Sequence, residues 1–318
     1  MKNFVSIEYL RAFSMLYIVG FWHLFNYTNA FPSSKNLLTD EITNIVLGLF
    51  VVISGFLIGQ TRNISTPPLQ FYKKRLIRIY PLYALAVILF YVYGINNATV
   101  SLKSLFFISM YYGPAPLTMW FITMLFLFYL ITPLLLNLVA KPVKFLLFIL
   151  AILSVTLLFL IIFKTVDYRL LLYFPGFCVG IFCARYGINT KIINVWSALV
   201  LFFVGLILVF IKSDSWIFSH LKEIPLILSS SYLILAFSYR FEDGFTKVKI
   251  VSLLSYSSFA MYLFHRPIYV SLTGLYFPES QLFQVLYLTT ICLPIVAFFS
   301  WGIQKIYDRS LIAFNKSS

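Results

Sequence analysis

Long apolar runs, separated by charged residues, proline or glycine, follow one another along the chain. A helix needs about 20 apolar residues to cross the hydrocarbon core of a bilayer. Ten runs approach that length, and each predicts one membrane-spanning helix: 9–29, 43–61, 79–96, 118–138, 145–163, 168–186, 193–211, 224–239, 251–274 and 282–304. A further run, 100–112, is too short to span and contains Lys103, which places it at a membrane interface or in a re-entrant segment. In the second run, Ser54 and Gly55 are small residues of the kind that lets two helices approach closely.

Composition agrees with this pattern. The chain is 61% hydrophobic and 11% charged, whereas soluble domains are roughly 45–50% apolar and about 25% charged. We therefore predict an all-α polytopic membrane protein, a bundle of about ten transmembrane helices that forms a single integral-membrane domain over residues 1–318. The three cysteines, Cys178, Cys183 and Cys292, lie inside apolar runs without the spacing of metal ligands, so no metal site is expected.

The basic residues are distributed unevenly between the two sides of the predicted bundle. Most of the 24 Lys and Arg residues fall in segments on the same side as the N-terminus, among them Lys2, Arg62 and Lys191. Cytoplasmic loops of membrane proteins carry this excess, which predicts that both termini are cytoplasmic. Together with contacts to anionic membrane lipids, the same rule accounts for the net charge of +14 without a nucleic-acid partner.

One cytoplasmic connection is more basic than orientation requires. The segment QFYKKRLIRIYPLY, residues 70–83, holds Lys73, Lys74, Arg75 and Arg78 just before the third predicted span. Arg75 and Arg78 are three positions apart, so in a helical turn they share a face and can hold one multivalent anion. The alternative is a cluster that only orients the chain or binds lipid.

Ionisable residues also lie inside two predicted spans. Arg11 and His23 belong to the first apolar stretch, roughly residues 5–29, and His265 belongs to the ninth span. An ionisable side chain at the centre of a bilayer costs about 2.5 kcal/mol or more, so it indicates a functional site. At about 1.5 Å per residue, His23 lies about 18 Å beyond Arg11, and His265 lies about 20 Å beyond Ser252 at the inner end of its own helix. The two imidazoles are therefore expected at similar depth.

Six segments of the sequence, taken together and in order, resemble the integral-membrane acyltransferase 3 family. They are YLRAF with the later histidine (9–23), LFVVISGFLIG (49–59), FYKKRLIRIYPLY (71–83), MWFITMLFLFYLITPLL (119–135), YFPGFCVG (173–180) and LLSYSSFAMYLFHRP (253–267). The resemblance implies a ten-helix protein that moves an acyl group, and we expect it in a bacterial cytoplasmic membrane. The usual donor is cytoplasmic acetyl-CoA, and the usual acceptor is a hydroxyl of a surface or exported polysaccharide or a lipid-linked sugar.

The resemblance also suggests roles for individual residues. Arg11 and His23 match the arginine and the essential histidine of the family's first helix. Arg75 and Arg78 match paired arginines that bind the nucleotide end of CoA, where Lys73 and Lys74 can assist and Tyr80 can stack on adenine or on a sugar.

The chemistry of the residues is compatible with acyl transfer. A sugar hydroxyl is a poor nucleophile, and an imidazole with an ordinary pKa near 6.5 is a suitable general base for it. Direct transfer and an acetyl-histidine intermediate both remain open. His265 can bind the acceptor, orient His23, act as the base or simply pack. The alternative function is a transporter or flippase for a glycan or acyl donor, whose charged residues line a path without acyl chemistry.

The sequence departs from the family pattern in the spacing of its first motif. Family members usually place ten residues between the arginine and the histidine, whereas Ala12–Trp22 gives eleven here. In a regular helix, twelve steps of about 100° would turn His23 about 120° away from the face of Arg11. We therefore predict an i→i+5 hydrogen bond, or a break in the ladder, between about Met15 and His23, with both side chains facing one internal cavity. Gly20 is the residue best able to tolerate this distortion.

Overall fold

A computed structural model of the protein describes residues 4–61, 67–190 and 193–317, with side chains as far as residue 313. These residues form helices and connecting segments without a β-strand, which confirms the all-α class. Lys2, Arg62 and Lys191, which entered the orientation argument, lie outside the described residues.

Within the described ranges the chain forms two compact units. The first unit comprises Asn44–Arg240, and the second comprises Phe4–Thr43 and Phe241–Ser318. In chain order the α-helices are α1 (Val5–Tyr17), α2 (Leu37–Gly59), α3 (Pro68–Val92), α4 (Ala98–Leu105), α5 (Trp120–Leu138), α6 (Pro142–Phe163), α7 (Arg169–Tyr186), α8 (Val195–Phe210), α9 (Trp216–Leu221), α10 (Ile224–Arg240), α11 (Lys249–Leu275), α12 (Gln281–Tyr287) and α13 (Leu293–Ser317).

Two short π-helical segments interrupt the regular helices of the second unit. The first π segment, Ile18–Trp22, continues α1 and is followed by a 3₁₀ turn at Leu24–Tyr27. The second π segment, Leu288–Cys292, joins α12 to α13. In the second unit, α11 packs against both α1 and α13.

Helix is found in each of the ten predicted apolar runs. Among the described residues, six helices are long and apolar enough to cross a membrane, which makes the chain a multi-pass membrane protein. They are Leu37–Gly59, Pro68–Val92, Trp120–Leu138, Pro142–Phe163, Trp216–Arg240 and Gln281–Ala313.

Two helices, α2 and α3, begin more than five residues earlier than hydropathy predicts. The predicted run 43–61 corresponds to α2, which begins at Leu37 because the Asn36 side chain accepts hydrogen bonds from the backbone N–H groups of Leu38 and Thr39, at 3.0 and 3.2 Å. The predicted run 79–96 corresponds to α3, which begins at Pro68, a residue suited to a first helical position. The basic cluster predicted to lie in a connection is therefore part of a helix.

The α2–α7 contact in the first unit depends on glycine. A Cβ atom built on Gly55 would lie 2.2 Å from the carbonyl oxygen of Phe177, and one built on Gly180 would lie 2.2 Å from that of Val52. No side chain fits at such distances, so the two backbones touch directly. This confirms the packing role predicted for Gly55, while the neighbouring Ser54 donates a hydrogen bond to Phe50 of its own helix.

Candidate active site

The helices α1 and α11 are joined near their N-terminal ends. The Glu242 carboxylate, just before α11, accepts hydrogen bonds from the backbone N–H groups of Val5 and Ser6 at 2.6 and 3.3 Å. A carboxylate at a helix N-terminus satisfies unpaired N–H groups and is favoured by the helix dipole. One turn further on, Ser252 donates a 2.6 Å hydrogen bond to Glu8. These contacts set the register in which the two helices run side by side in parallel.

Arg11 reaches the same neighbouring helix. Its guanidinium donates a 2.8 Å hydrogen bond to the hydroxyl of Ser258. The Ser258 hydroxyl in turn donates to the carbonyl of Ser255 at 2.8 Å, so its lone pair is directed to the arginine. The buried Ser258 thus fixes the guanidinium of Arg11, one of the two ionisable groups predicted in the first span.

The first π segment places His23. The backbone N–H of His23 donates to the carbonyl of Ile18 at 2.9 Å, an i→i+5 bond within the predicted interval. This bond absorbs the extra residue between Arg11 and His23, so both side chains contact α11. The predicted irregularity of the helix is confirmed. Arg11 and His23 lie on a common side of the first helix, and this side packs against α11.

The two predicted intramembrane histidines stack on each other. The imidazole rings of His23 and His265 have centroids 4.8 Å apart and planes only 4° from parallel. Both side chains are buried. The similar depth predicted from residue counting is therefore confirmed, and the structure adds direct ring contact.

Hydrogen bonding determines which nitrogen of His265 carries the proton. Its Nδ1 lies 3.0 and 2.9 Å from the carbonyl oxygens of Met261 and Tyr262. A carbonyl oxygen only accepts, so Nδ1 must donate, and a neutral ring then has its lone pair on Nε2. Within the described part of the chain, neither His265 Nε2 nor His23 Nδ1 has a hydrogen-bond partner. A buried polar atom left in this way is costly, so its presence calls for an explanation such as a function.

Four polar residues of α11 form a stripe along one face that hydropathy did not reveal, and Ser258, His265 and Tyr269 of this stripe contact α1 or the segment that continues it. Ser258, Tyr262, His265 and Tyr269 follow one another at intervals of four, three and four residues, the spacing of one helix face. Sequence reasoning singled out only His265. The regular spacing of the other three was the signal available.

The basic cluster of α3 lies in the first unit. The guanidinium carbon of Arg75 lies 5.5 Å from the ring centroid of Phe71 and 5.6 Å from that of Tyr129, so this half-buried cation contacts two aromatic rings. In the described residues neither Arg75 nor Arg78 forms a salt bridge with a carboxylate. Arg78 is exposed, so both guanidinium groups can take an anion.

The remaining predicted donor-site residues are spread around the helix. Lys73 and Lys74 are exposed, and at about 100° per residue Lys73 lies about 160° from Arg75, on the other side of α3. Tyr80 is about 140° from Arg75, and its ring packs 5.8 Å from that of Phe107. Arg75, Arg78 and Lys74 therefore share one side of the helix, and adenine stacking by Tyr80 stays a prediction.

Comparisons with known proteins address the identity of the chain. Neither the curated proteins nor the solved structures compared with it gave a match. A family model described as an acyltransferase domain, that of acyltransferase 3, matches residues 4–304. This stretch includes every site residue discussed above. Because the match covers most of the chain, the protein belongs to the acyltransferase 3 family and is a membrane acyltransferase.

Proposed function

We propose that the protein is an O-acyltransferase that moves an acetyl group from cytoplasmic acetyl-CoA to a hydroxyl of a surface or exported polysaccharide or a lipid-linked sugar. The observation that carries this proposal is the buried, stacked pair of His23 and His265, each with a ring nitrogen that has no partner among the described residues. Acyl transfer to an alcohol needs a group that accepts a proton inside a dry site, and these nitrogens supply that capacity.

In the proposed reaction, His23 takes the proton of the acceptor hydroxyl while the oxygen of that hydroxyl attacks the thioester carbonyl carbon. The carbon–sulfur bond then breaks, and the departing CoA thiolate takes up the proton that His23 removed, which returns the imidazole to its neutral form. His265 Nε2 is a second acceptor beside the same ring. We assign Arg11 to this site because its hydrogen bond to Ser258 holds α1 against the helix that carries His265.

Donor binding is proposed for α3. CoA carries several phosphate groups, and the guanidinium groups of Arg75 and Arg78 bind phosphate through paired hydrogen bonds. The aromatic rings of Phe71 and Tyr129 hold the Arg75 side chain in place before a ligand arrives. Lys74 adds positive charge on the same side, and Lys73 and Tyr80 assist from other faces.

We further propose that all ten predicted runs span the bilayer as a single domain, with both termini in the cytoplasm of a bacterium. The excess of basic residues on the N-terminal side supports this orientation. A cytoplasmic N-terminus brings the basic start of α3 to the compartment that contains acetyl-CoA.

The test is acetyl transfer by the purified protein in lipid nanodiscs with labelled acetyl-CoA and an extract of surface glycans. We expect His23→Ala to lower kcat by about 10²–10⁴-fold, the usual loss of a general base. Arg75→Ala should instead raise KM for acetyl-CoA with little change in kcat, because a phosphate contact made equally in ground and transition states acts on affinity. Arg75→Lys should restore only part of that affinity, since lysine lacks the planar fork.

His220→Ala is the matched control, because His220 lies on α9 and bonds to the Trp216 carbonyl of its own helix. Rapid-quench trapping of labelled enzyme separates direct transfer from an acetyl-histidine intermediate. Unchanged glycan acetylation in His23→Ala would remove that residue from the mechanism. Absence of acetyl-CoA consumption by the wild-type protein with any glycan would reject the proposed donor.

A further inference from the structure

The hydroxyl of Tyr269 lies against the distorted part of the first helix. In a regular α-helix the N–H of His23 would bond to the carbonyl of Val19, four residues earlier. Here that N–H is diverted to Ile18, and the Val19 carbonyl accepts a 3.3 Å hydrogen bond from the Tyr269 hydroxyl. Both residues are fully buried. Tyr269 thus supplies the hydrogen bond that the π segment takes away from Val19.

We propose that Tyr269 is a positioning residue that holds the first π segment in place and so keeps His23 stacked on His265. The proposal rests on the function proposed above for His23. Without the hydroxyl, the buried Val19 carbonyl would lose this partner, and such a group carries a substantial desolvation penalty. The helix could lower that penalty by returning to i→i+4 bonding, which would turn His23 away from α11.

The position of Tyr269 on α11 fits this role. It follows His265 by four residues, one turn along the same face. Its ring meets the His265 ring nearly edge-on, with centroids 6.3 Å apart and planes at 80°. One helix face therefore holds both the ring that stacks on His23 and the hydroxyl that supports the backbone before it.

Another contact limits movement of the π segment. A Cβ atom on Gly20 would lie 2.9 Å from a methyl group of Leu293, the first residue of α13. Gly20 therefore permits a close approach of Leu293, in addition to the backbone freedom predicted from the sequence. The segment is in contact with α11 through Tyr269 and with α13 through Leu293.

The decisive experiment compares Tyr269→Phe in two backgrounds, the wild-type chain and a chain from which Val19 is deleted. The deletion removes the residue whose carbonyl Tyr269 supports and turns the Ile18–His23 bond into an ordinary i→i+4 bond. Arg11 and His23 are then eleven steps apart, about 20° from a common face. Acetyl transfer and the melting temperature are measured for all four proteins. Tyr287→Phe is the control, because the Tyr287 hydroxyl donates to the Leu272 carbonyl and not to the first π segment.

In the wild-type background we expect Tyr269→Phe to lower kcat about tenfold with an unchanged KM for acetyl-CoA, and to lower the melting temperature by about 2 °C. In the Val19-deleted background the same substitution should change kcat by less than about twofold and leave the melting temperature within about 1 °C. An equal loss in both backgrounds would overturn the proposal, as would wild-type kcat in Tyr269→Phe.

Two further measurements cover the cases in which the Val19 deletion does not fold or the wild-type protein is inactive. If the Val19 deletion does not fold, Tyr269→Phe is combined with His23→Ala. A residue that acts through His23 should then cause no further loss of the residual rate, and an added tenfold loss contradicts the proposal. If the wild-type protein transfers no acetyl group at all, the proposed function fails, while the melting temperatures of the four proteins still decide whether Tyr269 supports the π segment.

Discussion

The α2–α7 contact in the first unit is made by backbone atoms, whereas the α1–α11 contact in the second unit is made by polar side chains. At the first, Gly55 and Gly180 each face a carbonyl oxygen of the other helix. At the second, Arg11 meets Ser258 and the ring of His23 meets that of His265. The two glycines and the two histidines are buried, yet only the polar contact leaves ring nitrogens unpaired among the described residues.

We interpret the difference as that between a contact that serves folding and one that, under the proposed function, serves chemistry. In a membrane, apolar side chains gain little by moving from lipid to protein, so close backbone packing stabilises a helix pair. A polar contact can do the same only if its groups are satisfied. The unpaired nitrogens of the histidine pair reduce stability, and we interpret that cost as a consequence of function.

The strongest test of this comparison is Gly55→Ala. The added methyl group would lie 2.2 Å from the Phe177 oxygen, so the two helices would have to separate. We expect a loss of about 3 kcal/mol in the free energy of unfolding, the upper range for overpacking. Thermal unfolding in detergent measures it. Gly302→Ala in α13 is the control, since its Cβ would meet no atom within 4 Å, and it should be neutral or slightly stabilising. Equal melting temperatures for the two variants would contradict the backbone contact.

Helix positions were predicted better from the sequence than helix starts. Each of the ten apolar runs became helix because in lipid a segment can pair its backbone N–H and C=O groups within itself only as a helix. The starts of α2 and α3 were missed because they depend on single residues, the Asn36 cap and Pro68, which hydropathy does not register. Charged residues after a start, such as Lys73, lower the hydropathy further although the helix continues.

After Gly55→Ala, the next largest effect is expected for a substitution of His265. His265→Phe keeps a flat ring on His23 but removes both ring nitrogens. If Nε2 takes part in acyl transfer, kcat should fall about 100-fold. The melting temperature should stay the same or rise, because one buried, unpaired polar atom is removed. Activity and stability then change in opposite directions, unlike the loss expected for Gly55→Ala.

Two measurements check this expectation, the rate of acetyl transfer and thermal unfolding of the same preparation. A variant with the wild-type rate would show that His265 only packs. A variant that is both slow and unstable would show that the Nδ1 hydrogen bonds of His265 to Met261 and Tyr262 support α11. The histidine pair would then stabilise the fold, as the α2–α7 contact does.

The candidate site was predictable where counting along a helix suffices. The extra residue between Arg11 and His23 pointed to the π segment, and helix rise pointed to the common depth of His23 and His265. The partners of these residues were missed because serine and tyrosine pass unnoticed within an apolar run. Ser258 and Tyr269 acquire their roles only when α11 lies beside α1, and that pairing is a tertiary property.

The smallest expected effect concerns Ser258. Ser258→Ala removes the hydroxyl that accepts the 2.8 Å hydrogen bond from Arg11. A hydrogen bond to a charged group is worth about 1.5–3 kcal/mol, but Arg11 keeps its charge and its helix position, so we expect the lower end in stability and about a fivefold lower kcat. Ser257→Ala is the matched control, because the neighbouring Ser257 hydroxyl donates to Leu253 of its own helix at 2.8 Å. If the two alanine variants lose the same small amount of activity, the Arg11–Ser258 bond has no special role, and the effect of the polar contact on activity does not depend on that bond.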